Sequence, residues 1–182
     1  MSVDARKSKH GDEALADSAA EVAASQYLTF MLDRELFAID IQRIREVLAF
    51  TSVTKVPRTP DFMRGVINLR GHVVPVVDLR VKLGLSPIEK TIDTCVIIIE
   101  VEIDGERTVL GALADSVQEV IDLAPAQIAP PPRMGTRIDT DCISGIGRRD
   151  EQFIVILDID RVLSDDKETQ AALRQAQQGE LS

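Results

Sequence analysis

Between residues 26 and 163 apolar and polar positions alternate in short runs, and most runs stop at a turn signal. Gln26–Leu32 sets Tyr27, Thr29 and Met31 on one face and Leu28, Phe30 and Leu32 on the other, the period-two pattern of a half-buried strand. Asp33-Arg34 then turns the chain into Leu36–Ile41, which predicts a hairpin. Gly65–Leu69, the Arg70-Gly71 turn and Val73–Leu79 predict a second hairpin. Thr94–Ile103 and Thr108–Ala114, on either side of Asp104-Gly105, predict a third; Asp-Gly tolerates the positive φ that a tight hairpin turn demands. Gln152–Leu157 is the last strand. Ser52–Val56 is expected as a short strand closed by Pro57. Pro60–Arg64 is expected as one helical turn, with Pro at its start where the missing N–H costs nothing. Ile41–Leu48 fits both periods: Ile41, Ile44 and Leu48 make a helical stripe, while Ile44, Glu46 and Leu48 share a strand face. A turn near Asp40–Arg43 followed by a short strand is the expectation there.

An internal similarity supports that choice. Setting Gly65-Val66 against Gly145-Ile146 and running on without a gap lays Val73–Leu79 over Phe153–Ile159, and Leu83 over Leu163. Upstream, Ile44–Leu48 resembles Val117–Ile121, each following an aspartate, Asp40 and Asp115. The shared glycine, aspartate and hydrophobic register predict two similar β subdomains, about 26–90 and 91–163. Each would hold about five short strands, the number of a small barrel.

Composition narrows the class. Of 182 residues 45% are hydrophobic but only 3% aromatic, with no Trp and a single Tyr27, so the core rests on Val, Ile and Leu. β-Branched residues favour pleated, half-buried surfaces. Net charge is −9, and the stretch from Tyr27 to Leu163 keeps an excess of acids. With no Lys/Arg cluster set among stacking aromatics, the chain is not expected to bind nucleic acid. Residues 1–25 are polar and mixed in charge, and read as a disordered N-terminal arm with no signal sequence. Residues 164–182 read as a helical tail: Ser164 with Asp165 and Asp166 form an N-cap and acidic first turn, and Gly179 is the stop. No apolar run reaches the length of a membrane span, so no membrane insertion is expected and the cytoplasm is the default address. Cys95 and Cys142 lack CxxC spacing and are expected as reduced core thiols.

No catalytic constellation emerges. His10 lies in the arm and His72 beside the Arg70-Gly71 turn, neither at metal-ligand spacing from a Cys, His or carboxylate. Gly145-Ile146-Gly147 is followed by a strand, not by the helix N-terminus that a phosphate cradle needs, and is expected in a hairpin. Asp78 and Asp158 occupy equivalent repeat positions and read as strand-end caps rather than paired catalytic carboxylates. The Pro130–Pro132 run reads as a rigid connector. Neither a cofactor nor a metal is expected. Arg70, set among apolar strands, asks for an acidic partner, and Glu46 is the expected one. The pair is either a plain internal ion pair or the edge of a groove, walled by Ile44, Val117 and Val120, that accepts a partner helix.

The residues also resemble a known family. Ala38-Ile39-Asp40-Ile41 with Ile44-Arg45-Glu46-Val47, and Thr59-Pro60 with Phe62 leading into Gly65 through Arg80, are similar to the CheW family's distinctive segments. Gly111, Asp115–Val120 and Gly145–Gly147 follow in the family's order, so the resemblance spans about Gln26 to Leu163. It implies a mainly β fold of two small five-stranded β-barrel subdomains with a hydrophobic groove between them, short helical turns and a C-terminal helix. It implies a non-enzymatic chemotaxis adaptor without cofactor, a scaffold coupling methyl-accepting chemotaxis receptors to a CheA-type histidine kinase in arrays at the inner face of the membrane. Carried over by position, Ile44, Glu46, Gly65, Arg70, Val96, Gly111, Val117 and Val120 would bind receptor. Ile39, Ile41 and Arg64 would bind kinase, and Arg133 and Met134 would make a ring contact. Ala38 departs from a frequent Gly, and Pro131 to Arg133 differ in character from the family. Two other readings stay open: an adaptor of a non-flagellar chemosensory pathway and, from a different class, a small β-barrel ligand-binding protein or enzyme. Groove chemistry separates them, because convergent ionisable groups favour an enzyme and an apolar slot with one Arg–Glu pair favours a peptide site.

Overall fold

The structure, a computed structural model, describes residues 24–103, 105–131, 140–164, 171, 172 and 174. Eleven strands are named among them: β1 Ser25–Leu32, β2 Glu35–Asp40, β3 Ile44–Ala49, β4 Met63–Leu69, β5 His72–Asp78, β6 Cys95–Ile103, β7 Glu106–Ala114, β8 Ser116–Leu123, β9 Ile128–Ala129, β10 Ile143–Arg149 and β11 Gln152–Leu157. Short helices Leu79–Lys82 and Ile159–Ser164 follow β5 and β11. The expected arm, except for Ala24 and Ser25, lies outside the described residues, as does most of the expected tail. Of that tail, Ser164 is the last residue of the helix Ile159–Ser164 and not the N-cap expected, and Ala171, Ala172 and Arg174 are helical.

The mainly β expectation holds, and the strands form two sheets. A six-stranded sheet runs β8-β1-β2-β11-β10-β9 and a five-stranded sheet runs β3-β6-β7-β5-β4. Neighbours are antiparallel except β2–β11 and β5–β7. The sheets do not divide the chain near residue 90, where the repeat placed the boundary. After β2 the chain passes through a 3-10 turn, Ile41–Arg43, into the five-stranded sheet, and after β7 it returns at Asp115. Each sheet therefore takes one hairpin from one half and the remaining strands from the other. Sequence similarity marks the repeat but carries no information on which copy's hairpin a strand will pair with.

The repeat itself is visible in the pairing. Hairpin β4–β5 carries a register shift between Met63 and Gly65, and β10–β11 carries one between Ile143 and Gly145. Parallel pairs Val76↔Gly111 and Ile156↔Ala38 occupy matching places in the two sheets. Val66 bridges to Thr54 as Ile146 pairs with Ala129.

Two local expectations need correction. Ser52–Val56 is no strand beyond the single bridge of Thr54 to Val66, held by N–H···O bonds of 2.9 and 2.8 Å. The chain turns away at once, with Arg58 left-handed (φ 61°) just after Pro57. Pro60–Arg64 is a tight turn running into β4, not a helical turn. Only one such bond forms, from Met63 N–H to the Pro60 carbonyl at 2.9 Å, while the Phe62 carbonyl accepts from Asp78 N–H at 2.7 Å. Phe62 and Met63 are both buried, so burial draws the segment into the sheet.

One continuous apolar cluster joins the sheets: Phe30, Leu32, Phe37 and Ile39 of the six-stranded sheet pack with Ile97–Ile99, Val76, Val77 and Leu113 of the other. Phe30 and Phe37 stack with centroids 6.1 Å apart. A smaller cluster, Ala38, Ile121, Leu123, Ile154 and Ile156, belongs to the six-stranded sheet alone. Cys95 and Cys142 stand outside any disulfide but are only half-buried, at element edges rather than in the core.

Gly65 tests the fold. Its φ of +146° and a built Cβ only 2.3 Å from the Thr54 carbonyl oxygen leave no room for a side chain. Gly71, at φ +85°, has open space around it. Gly65→Ala is expected to cost about 2–4 kcal/mol in urea unfolding, from strain plus lost bridge, and Gly71→Ala about 1 kcal/mol from strain alone. Equal costs would refute the close approach as the reason for Gly65.

Candidate functional site

Arg70 sits in the β4–β5 turn with a left-handed backbone (φ 52°), and Asn68 fixes that turn by accepting Gly71 N–H on its side-chain oxygen at 2.8 Å. From there Arg70 reaches Glu46 on β3 in a two-pronged pair, Nη1 to Oε1 at 2.7 Å and Nη2 to Oε2 at 2.9 Å. Because β3 and β4 are opposite edges of the five-stranded sheet, the sheet must curl until its ends face each other. The pair acts as a side-chain clasp between edges that share no ladder. Glu46 is aimed by a bulge in β3, where the register against β6 shifts between Ile44 and Glu46.

The expected partners thus meet, but at the surface: the Arg70 side chain is 72% exposed and that of Glu46 is 26% exposed. Burial demands no partner for this arginine; planar bidentate geometry supplies the preference. Hydrogen bonding to the guanidinium holds the Glu46 carboxyl below the usual carboxylate range, and the same bond raises Arg70. Arg70 also lines a depression with Leu69, His72, Val73, Val74 and Val109, rimmed by Arg45, Glu106 and Arg107. Ile44, Val117 and Val120, the expected groove walls, do not line it. Val120 is 48% exposed on β8, and Val117 and Ile44 are partly buried against the core.

Other expected contact residues are placed beneath the surface. Val96 and Gly111 are buried against each other, a Cβ on Gly111 falling 2.6 Å from Val96 Cγ1. Gly65 is buried under Thr54, and Ile39 is fully buried, whereas Ile41 in the 3-10 turn is only partly so. Arg64, on β4, donates from Nη1 to Asp78 Oδ2 at 3.3 Å and to the Ile88 carbonyl at 3.0 Å. Arg133 and Met134 lie outside the described residues.

Asp78 and Asp158 are caps, as expected. Asp78 is fully buried; its Oδ1 accepts from Arg80 and Val81 N–H at 3.0 and 3.4 Å and its Oδ2 from Ile88 N–H at 3.0 Å. Asp158 Oδ1 accepts from Arg161 N–H at 3.3 Å. His72 is an exposed residue at the start of β5. Among the described residues no group of three His, Cys, Asp or Glu is placed to hold a metal ion. Nor is any helix among them long and apolar enough to cross a membrane.

Two ion clusters tying the sheets together were missed by sequence reading. Arg80, only 14% exposed, bridges Asp33 of the β1–β2 turn at 3.4 Å and Asp115 at 3.3 Å. Asp160, at the matching repeat position, receives Arg43 at 2.6 Å and the N–H of Glu102 at 3.2 Å. The gapless alignment does set Arg80 over Asp160, but opposite charges at matched positions read as a mismatch until both are seen at sheet crossings.

The CheW-like domain family matches residues 26–167. The chain belongs to the CheW family. Its relatives include the chemotaxis protein CheW of Klebsiella aerogenes, 35% identical over 149 residues that cover 82% of this chain and 87% of that one. CheW of Bacillus subtilis is 33% identical, covering 82% and 93%. Among solved structures, the scaffolding protein TtCheW from Thermoanaerobacter tengcongensis superposes with a TM-score of 0.68 at 37% identity, over 76% of this chain and 92% of that one. Both the two-sheet fold and the Gly65–Arg80 hairpin are therefore features of a CheW-family chemotaxis adaptor.

Two outcomes follow for this CheW-family site. Replacing Arg70 by Ala should return the Glu46 carboxyl to the ordinary range, read by NMR titration of its side chain. Because the native carboxyl is depressed, the clasp is present above the ordinary carboxylate range and lost as pH falls through the lowered value. Asp78→Ala strands buried N–H groups and the Arg64 cation, and should cost about 3 kcal/mol or more in chemical denaturation. A loss under 1 kcal/mol would show the cap to be dispensable.

Proposed function

We propose that this chain couples methyl-accepting chemotaxis receptors to a CheA-type histidine kinase, as a non-catalytic cytoplasmic scaffold of the receptor array. The observation that carries the reading is the hairpin from Gly65 to Arg80, which presents Arg70 clasped to Glu46 within a chain that matches CheW relatives along most of its length.

Within the proposal the receptor surface consists of Ile44, Glu46 and Arg70 on one sheet and Val117 and Val120 on the other. Gly65, Val96 and Gly111 support it from below by setting the spacing of the strands, since none has an outward side chain to offer. Kinase contacts fall near Ile41 and Arg64, with Ile39 packing beneath, and Arg133 and Met134 provide the ring contact. An exposed Val120 and a surface-exposed, preorganised Arg–Glu pair suit a helical partner that brings both apolar and polar groups.

The test is capture of a receptor's cytoplasmic hairpin fragment and of a CheA-type kinase regulatory domain by the purified full chain. Arg70→Ala and Glu46→Lys should each weaken receptor binding by about tenfold, as removal of a well-placed interface arginine or its partner does, with kinase binding intact. Binding of neither wild-type partner would overturn the adaptor reading, and equal loss of both in the variants would assign the pair to folding.

A further inference from the structure

We propose that Arg149 and Glu119 form a second clasp, a positioning pair that holds β8 in place for the receptor as Arg70 and Glu46 hold β3. The inference rests on the reading that Val117 and Val120 of β8 belong to the receptor surface.

Its support is a set of matched positions. Glu119 occupies on β8 the place that Glu46 occupies on β3, two residues after Val117 as Glu46 is two after Ile44. β8 is an edge of the six-stranded sheet, as β3 is of the other. Both glutamates stand at register shifts: β3 against β6 between Ile44 and Glu46, and β8 against β1 where Leu28 pairs with Val120 but Phe30 with Val117. Thr29, 2% exposed, fills this second bulge. Its hydroxyl donates to the Glu119 carbonyl at 2.7 Å and accepts from Glu119 N–H at 3.1 Å, so the backbone that aims the side chain is fixed on both sides.

Across the sheet, Arg149 ends β10 at the Asp150-Glu151 turn, whose φ values of 49° and 65° match those of Arg70 and Gly71 at 52° and 85°. Arg149 Nη1 lies 3.5 Å from Glu119 Oε1. The surface depressions beside the two pairs correspond as well. Leu69, His72, Val74 and Val109 line one, and Arg149, Gln152, Ile154 and Leu36 stand at the matching points of the other. The fold has thus repeated the clasp with its arginine moved one residue, from the turn to the strand end.

Position gives the pair its consequence. Glu119 lies between Val117 and Val120, on an edge with no strand beyond it among the described residues. Tying Glu119 to the β10 end fixes how the outer side of β8 leans, and with it the Val120 side chain. Arg149 and Glu119 are 43% and 68% exposed, so the coupling is modest and salt-sensitive.

The test uses full-length R149E, E119R and the double swap R149E/E119R, read by amide hydrogen exchange across Val117–Ile121 and by affinity for a receptor hairpin fragment. Each single variant should speed exchange in β8 and weaken receptor binding by about two- to fivefold, the range of an exposed ion pair, with kinase-domain binding unchanged. The double swap should restore both. A swap no better than the singles, as a direct charge contact with the receptor would give, overturns the clasp; so do singles with wild-type exchange. If the wild-type chain binds no receptor fragment, the proposed function fails on its own, while the exchange data still decide whether Arg149 and Glu119 hold β8.

Discussion

At Ile41–Arg43 and again at Asp115 the chain leaves one sheet for the other, and both crossings are held by charge at short range. Arg80 gathers Asp33 and Asp115 where β7 gives way to β8. Asp160 gathers Arg43 and the N–H of Glu102 where β2 gives way to β3. These contacts join the helix after each parallel strand to the crossing opposite it. Partly buried ion pairs are costly to break because the survivor keeps its charge without a partner, so they specify the crossing more than they add net stability. The two sheets joined at these crossings share one apolar cluster.

The exchange of hairpins also creates the surface proposed to meet the receptor. β3 and β8 are the strands that enter a new sheet at its edge, and among the described residues neither has a strand on its outer side. Bulges in both turn a glutamate towards the far hairpin, where an arginine waits near a left-handed turn. Edge strands are open to further pairing unless something blunts them. Here charged side chains cap the edges while valines, Val47 and Val120, remain exposed on the strands themselves. Surface and scaffold are thus one device: the edges that must be closed for the fold are the ones proposed to meet a partner.

Much of this was legible in the sequence, and the limits are physical. Hairpins with period-two alternation and a tight-turn pair were read nearly to the residue, because turn and alternation are both local. Ile41–Leu48 was decided by its likeness to Val117–Ile121, and the structure gives the turn and strand expected. Segments without alternation went wrong: Ser52–Val56 and Pro60–Arg64 take their form from Gly65 and Asp78, residues outside their own windows. Arg70 was paired correctly with Glu46 for the wrong reason, since exposure is a property of the assembled surface. Val96 and Gly111, carried over as contacts, turned out to be buried against each other.

By itself the sequence determined most of the strands and their turns, the capping aspartates, the internal repeat and the membership of the CheW family, since each is written in short-range pattern or in a specific run of residues. Only the tertiary structure decided which hairpin joins which sheet, which side chains face solvent, and that Arg80 and Asp160 do one task with opposite charges. Those outcomes depend on contacts between residues tens of positions apart, chosen by how two curled sheets share one core, and no local pattern encodes that choice.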